Sequence, residues 1–167
     1  MDFYSRENCM KNKWNFRSWI WVMIWLLILA IFSYGIFTII HEKNKVSQVC
    51  TRGNCFTVEL ARTPAEQEVW LMNRVSMPEK SGMLFIFPKS DLYNFRMKDT
   101  LIPLDIIRIT DKLNVVKVIT AQPCIADPCR TYNPEIWATY VLELNAGIAE
   151  KYNIVEWTQM KFRDIDK

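Results

Sequence analysis

Leu104-Asp105-Ile106-Ile107-Arg108-Ile109 and Val115-Val116-Lys117-Val118-Ile119 flank the polar stretch Thr110-Asp111-Lys112-Leu113-Asn114. Two runs rich in β-branched residues, joined by a short polar segment, read as a β-hairpin. Branching at Cβ restricts χ1 in a helix and suits a pleated surface, so the pair points to a mainly β fold.

The neighbouring segments agree. Met83-Leu84-Phe85-Ile86-Phe87 is an unbroken apolar run ended by Pro88, the pattern of a buried strand. Phe56-Thr57-Val58-Glu59-Leu60 alternates with period two, as a half-buried strand does. Between them Thr63-Pro64-Ala65-Glu66 has the form of a capping box with proline at the first helical position. That helix is predicted to reach Arg74, with a narrow apolar face around Val69, Met72 and Asn73. Leu92 to Met97 is a further strand candidate. On the other side, Trp137 to Leu144 reads as extended, with Tyr140, Leu142 and Leu144 on one face. Asn145-Ala146-Gly147 breaks it, Ile148 to Tyr152 forms a short helix, and Ile154 to Phe162 is expected to be the last strand. Short, closely spaced strands with one or two short helices predict a small β-sandwich or barrel-like domain. The charged stretch Lys161 to Lys167 covers an edge or frays.

A different segment precedes this domain. Trp19 to Ile40 carries no formal charge. At about 1.5 Å per residue it spans the roughly 30 Å apolar core of a bilayer. It lacks the polar face of a soluble core helix. A cleaved signal peptide has a shorter apolar core ending in a small-x-small site; the best match here, Ser33-Tyr34-Gly35, lies inside the run. Arg6, Lys11, Lys13 and Arg17 precede the span, against Lys43 and Lys45 just after it. Positive charge stays inside, so the expectation is a single-pass anchor with a cytoplasmic N-terminus and an extracytoplasmic domain. The expected organisation is a basic segment 1–18, an anchor 19–40, a stalk 41–53 and a β-rich domain 54–162.

Charge and cysteines fit that location. The chain has 21 basic and 18 acidic residues, and residues 1–45 hold six and three of them, which leaves 15 of each outside. A neutral outer segment offers no clustered basic face for nucleic acid. Cys9 stands alone on the inner side, while Cys50, Cys55, Cys124 and Cys129 form two C-x4-C pairs outside. Four cysteines in an oxidising compartment point to two disulfides, with three connectivities open. Zinc ribbons and redox pairs favour C-x2-C instead. Met72, Met77, Met83 and Met97 lack M-x-M spacing, so they read as core filler rather than copper ligands. No metal or cofactor is expected.

Several blocks in order resemble one family. They are Phe56-Thr57-Val58-Glu59-Leu60-Ala61 with Thr63-Pro64-Ala65-Glu66-Gln67, Leu71-Met72-Asn73-Arg74, and Gly82-Met83-Leu84-Phe85. Met97-Lys98-Asp99-Thr100-Leu101-Ile102-Pro103-Leu104-Asp105 follows, then Pro123-Cys124 with Cys129, then Tyr140-Val141-Leu142-Glu143-Leu144-Asn145-Ala146-Gly147. Together, over roughly residues 54–160, they resemble the bacterial and archaeal family called domain of unknown function 192. The resemblance implies a small sandwich-like β domain, often exported or membrane-tethered, and no established activity. It also implies self-contained bridges, Cys50–Cys55 and Cys124–Cys129. The chain departs from the family pattern at Trp70 for a glycine, at Arg96 and Asp99 for Trp and Asn, and at Glu156-Trp157 for a glycine-aspartate turn.

Arg74, Lys98, Asp99, Thr100 and Asp105 form the candidate ligand-binding cluster, because charges among apolar strands are costly unless paired or functional. A structural ion pair steadying the loop before Pro103 is the alternative. Lys98, Thr100 and Asp105 are expected side by side. Two carboxylates and a lysine could also serve acid–base hydrolysis of an envelope polymer. His41, the single histidine, sits at the membrane edge, which argues against histidine-based hydrolysis. Trp70, Tyr93, Phe95, Trp137 and Trp157 line a sugar-binding face or belong to the core. The expectation is an extracytoplasmic binding or envelope-accessory module, with the membrane and an envelope glycan or protein as partners. A cell-envelope hydrolase using Lys98, Asp99 and Asp105 is the alternative.

Overall fold

The computed structural model describes residues 16–43, 46–69 and 71–165. The chain divides into two units, Met1–Lys45 and Val46–Lys167. In the first, helix α1 runs from Phe16 to Lys43. Its segment Trp19–Ile36 has a mean hydropathy of 2.2, long and apolar enough to cross a membrane by length and composition.

The second unit is built on a seven-stranded sheet. Its strands are β1 (Gln48–Thr51), β2 (Asn54–Ala61), β3 (Ser81–Asp91), β5 (Leu104–Ile109), β6 (Val115–Ala121), β8 (Ala138–Asn145) and β9 (Lys161–Arg163). The spatial order is β6-β5-β8-β3-β2-β1-β9. β2 and β3 are parallel. The other pairs are antiparallel. A two-residue ribbon of β4 (Phe95–Arg96) and β7 (Thr131–Tyr132) lies apart from it.

The sheet is curled into a half-barrel, and the last residues show how. The Met160 amide donates to the Leu113 carbonyl and the Val115 amide to the Thr158 carbonyl, at the β6 edge. Only a few residues on, β9 pairs with β1 at the opposite edge. One short segment touching both edges requires the sheet to bend round.

Strand alternation divides the interior into two clusters. Phe56, Val58, Leu84, Ile107, Ile109, Tyr140, Leu142 and Leu144 fill one face. Met83, Phe85, Leu104, Ile106, Ala121 and Val141 fill the other, covered by Leu71, Met97 and Tyr132. Gly82 has a specific reason to lack a side chain. A Cβ there would collide with the Glu143 carbonyl and the Leu144 side chain.

The hairpin of β5 and β6 forms as expected, and Tyr140, Leu142 and Leu144 share a face. The capping box is present: the Arg62 and Thr63 amides donate to Glu66 Oε2, and the Glu66 amide donates to Thr63 Oγ1. Helix α2, however, covers only Pro64–Val69 and buries no residue. With no apolar face to hold it, the chain leaves the helix, and Asn73 adopts a φ of 60°. The strand expected over Leu92 to Met97 is reduced to β4, and that over Ile154 to Phe162 to β9, after a turn in which Trp157 has a φ of 71°. The short helix α3 is Ile148–Lys151. β1 begins the sheet within the stretch read as stalk.

Candidate functional site

The expected cluster comes together only in part: Lys98 and Thr100 border one recess, and Asp105 does not join them. Arg74 makes a two-pronged pair with Glu59, at 2.7 and 2.5 Å. Lys98 Nζ reaches Asp127 Oδ2 at 3.0 Å, and Arg96 reaches Asp127 Oδ1 at 3.1 Å. The hydrogen bond from Lys98, then that from the Cys129 amide, holds the Asp127 carboxyl below its usual range. Asp99 has a φ of 53°, and its carbonyl accepts the Asn73 amide while its own amide donates to the Cys124 carbonyl. Thr100 is buried.

Asp105 does not join Lys98 and Thr100. Leu104 belongs to the cluster on one face, so its neighbour Asp105 must point to the other. There it accepts the Thr120 hydroxyl at 2.7 Å and the Ala149 amide at 2.9 Å. That amide lies in the first turn of α3, whose start has no other side-chain cap. Asp105 ties β5, β6 and α3 together.

Lys98 and Thr100 border a different hollow. An open cleft of about 440 Å³ has Phe85, Phe87, Tyr93 and Phe95 among its walls, with Gln67 and Lys98 at its rim. Phe87 and Tyr93 stack with ring centroids 3.6 Å apart, and Phe85 meets Phe95 edge-on at 5.2 Å. A narrower recess of about 50 Å³ shares Gln67, Phe85, Phe95 and Lys98 with the cleft and reaches Thr100, Leu104 and Glu143.

Glu143 is the functional candidate that sequence reading passed over. It lies opposite Met83 on β3 and Ile106 on β5, and it is 5% exposed. Burial pushes its carboxyl up to about 8. At neutral pH it is mostly a protonated acid, able to donate one hydrogen bond and accept another. A signal was present: Glu143 is the one acid on β8, and alternation puts it on the face of Val141, opposite that of Tyr140, Leu142 and Leu144.

Of the aromatic residues, Tyr93 and Phe95 line this cleft. Trp137 and Trp157 are exposed elsewhere, and Trp70 lies outside the described residues. Met83 and Met97 are core, and Met72 borders the cleft. Among the described residues, no three His, Cys, Asp or Glu side chains gather to hold a metal.

Both disulfides are local, Cys50–Cys55 and Cys124–Cys129. The first joins residues directly opposite each other on β1 and β2, with Cα atoms 4.0 Å apart. The second, at 5.7 Å, closes the loop that carries Asp127 to Lys98.

The family model of domain of unknown function 192, described as uncharacterized ACR, matches residues 47–162. A crystal structure from Sinorhizobium meliloti 1021, described as a candidate transcription regulator, is 28% identical. The match covers 72% of this chain and 95% of that one, with a TM-score of 0.62. A protein of unknown function from Novosphingobium aromaticivorans DSM 12444 is 31% identical over 70% of this chain and 83% of its own, with a TM-score of 0.63. No curated protein matches the chain. The chain belongs to the domain of unknown function 192 family.

Proposed function

We propose that this member of a family without an assigned activity is a binding module, held at the outer face of a membrane by α1, whose cleft takes a sugar ring of an envelope glycan. The observation that carries the reading is the union of an aromatic wall with a protonated acid. Phe87 and Tyr93 offer apolar ring faces in the cleft, and Glu143 offers a donor and an acceptor in the recess that shares Phe85, Phe95 and Lys98 with it. Sugars present those two surfaces, C–H faces and hydroxyls. Arg96 and Lys98, which border the cleft, both pair with Asp127. α1 and the two disulfides support an extracytoplasmic site.

Hydrolysis by Lys98, Asp99 and Asp105 draws no support from this geometry, because the Asp105 carboxylate is occupied on the other face of the sheet. The test is calorimetric titration of the full chain in detergent micelles with peptidoglycan disaccharide fragments. Binding is expected in the wild type and should fall at least tenfold in Tyr93→Ala and in Glu143→Leu. Binding that neither substitution changes would place the ligand elsewhere, and binding only to a purified envelope protein would replace the glycan with a protein partner.

A further inference from the structure

Arg108 is among the largest fully buried side chains of the described residues, with a relative exposure of 0%. Its Nε and Nη1 have no hydrogen-bond partner among the described residues. Its remaining nitrogen, Nη2, reaches the Tyr132 carbonyl at 3.5 Å, the outer limit of a hydrogen bond. None of the ion pairs among the described residues includes it. A buried guanidinium without a carboxylate is unusual, because removing one partner of a buried pair leaves a charge uncompensated.

Its surroundings say where a partner could come from. The guanidinium carbon lies 5.5 Å from the centroid of the Phe95 ring. The same ring is part of the wall of the aromatic cleft. Phe95 is therefore shared: it packs on Arg108 and also lines the proposed sugar site. Phe95 is half-buried, packs edge-on against Phe85, and sits on β4, a strand of two residues paired to another of two. Rotation of that one side chain about χ1 is the motion an opening toward Arg108 would require. Register also places Glu143 nearby on this face. Glu143 opposes Ile106, and Arg108, two residues further along β5, opposes Val141.

We propose that Phe95 is a gate, that Arg108 behind it receives a carboxylate, and that the sugar held in the cleft is consequently an acidic one. The inference rests on the cleft reading above and narrows it. A carboxylate supplies the counter-charge that Arg108 lacks, and charge-assisted hydrogen bonds to it are stronger than neutral ones. A neutral sugar would leave the guanidinium as it stands.

N-acetylmuramic acid and N-acetylglucosamine share a ring and differ by a lactyl carboxylate, so they separate the two ideas. Calorimetry on the full chain in detergent micelles should show the acid bound at least tenfold more tightly than the neutral sugar, roughly the worth of one or two charge-assisted bonds. Arg108→Met should erase that preference and leave the neutral sugar's affinity unchanged. Its melting temperature should stay level or rise, since an unpaired buried charge is replaced by an apolar chain of similar length. If Arg108→Met does not fold, Arg108→Lys keeps the cation, lacks the Nε and Nη1 donors, and should also lose the preference. Equal affinity for both sugars, untouched by either variant, overturns the role of Arg108 and leaves the cleft reading standing. A preference that depends on Arg108 but survives Tyr93→Ala supports the arginine and overturns the cleft. Binding of neither sugar overturns both.

Discussion

Asp105 and Glu143 are both carboxyls buried in one sheet, and they face opposite ways with opposite consequences. Asp105 has two donors within hydrogen-bond distance and holds three elements together. Asp105→Ala removes an acceptor and strands the Ala149 amide. We expect a loss of about 3 kcal/mol in chemical denaturation, from two hydrogen bonds to a charged group. Asp105→Asn should lose less. Glu143 acts through its proton. Its carboxyl ionises near 8 in the folded chain, against an ordinary value of 4.5. Between those values the unfolded chain has released a proton that the folded chain retains, so stability falls as pH rises through that window. Glu143→Gln carries no such dependence. The variant's melting temperature should therefore gain on the wild type between pH 5 and pH 8; a constant difference would mean an ordinary carboxyl. The face parity of both residues could be read from the sequence, since Leu104 and Val141 are apolar neighbours whose direction fixes theirs. The sequence reading instead grouped Asp105 with Lys98 by proximity along the chain, and alternation separates them.

At the scale of elements, local chemistry was legible and packing was not. The capping box at Thr63 and Glu66 needs only four consecutive residues, and it formed as read. The end of α2 depended on whether anything would cover Val69, and nothing does, so Val69 stays exposed. The cleft was invisible because α2, β3 and β4 line it together and β8 adds Glu143 only to the adjoining recess, all from separate parts of the chain. Asp127 was missed for the same reason, being 29 residues from Lys98. Two outcomes follow for these elements. Gly82→Ala should destabilise by about 1–3 kcal/mol, because the clash is with β8 backbone, which cannot rotate away. The double serine variant of Cys50 and Cys55 should lose about 2 kcal/mol, as a short closed loop predicts, and should bind ligand normally. The double serine variant of Cys124 and Cys129 should bind more weakly as well, because its loop carries Asp127. Equal binding by the two variants would detach the rim from ligand recognition.

For the whole molecule, the basic flank of Arg6, Lys11, Lys13 and Arg17 sets the expected orientation. A cysteine introduced in place of Lys161, in a variant without Cys9, should react with an impermeant reagent on intact spheroplasts. Labelling only after lysis would reverse the topology. The main β class was legible from the β5–β6 hairpin outward. The curl was not, since it arises from pairing between segments far apart in sequence.

That pairing also governs timing. The Ser47 hydroxyl donates to the Asp164 carbonyl across 117 residues, and residues 157–163 fasten β6 on one side and β1 on the other. A chain growing from its N-terminus makes β1 first and must wait for β9 before that strand has its outer partner. Until then the half-barrel has no clasp, and two open strand edges are available to a neighbouring nascent chain. The contacts that finish this domain are also the slowest to find, because they join its most distant residues.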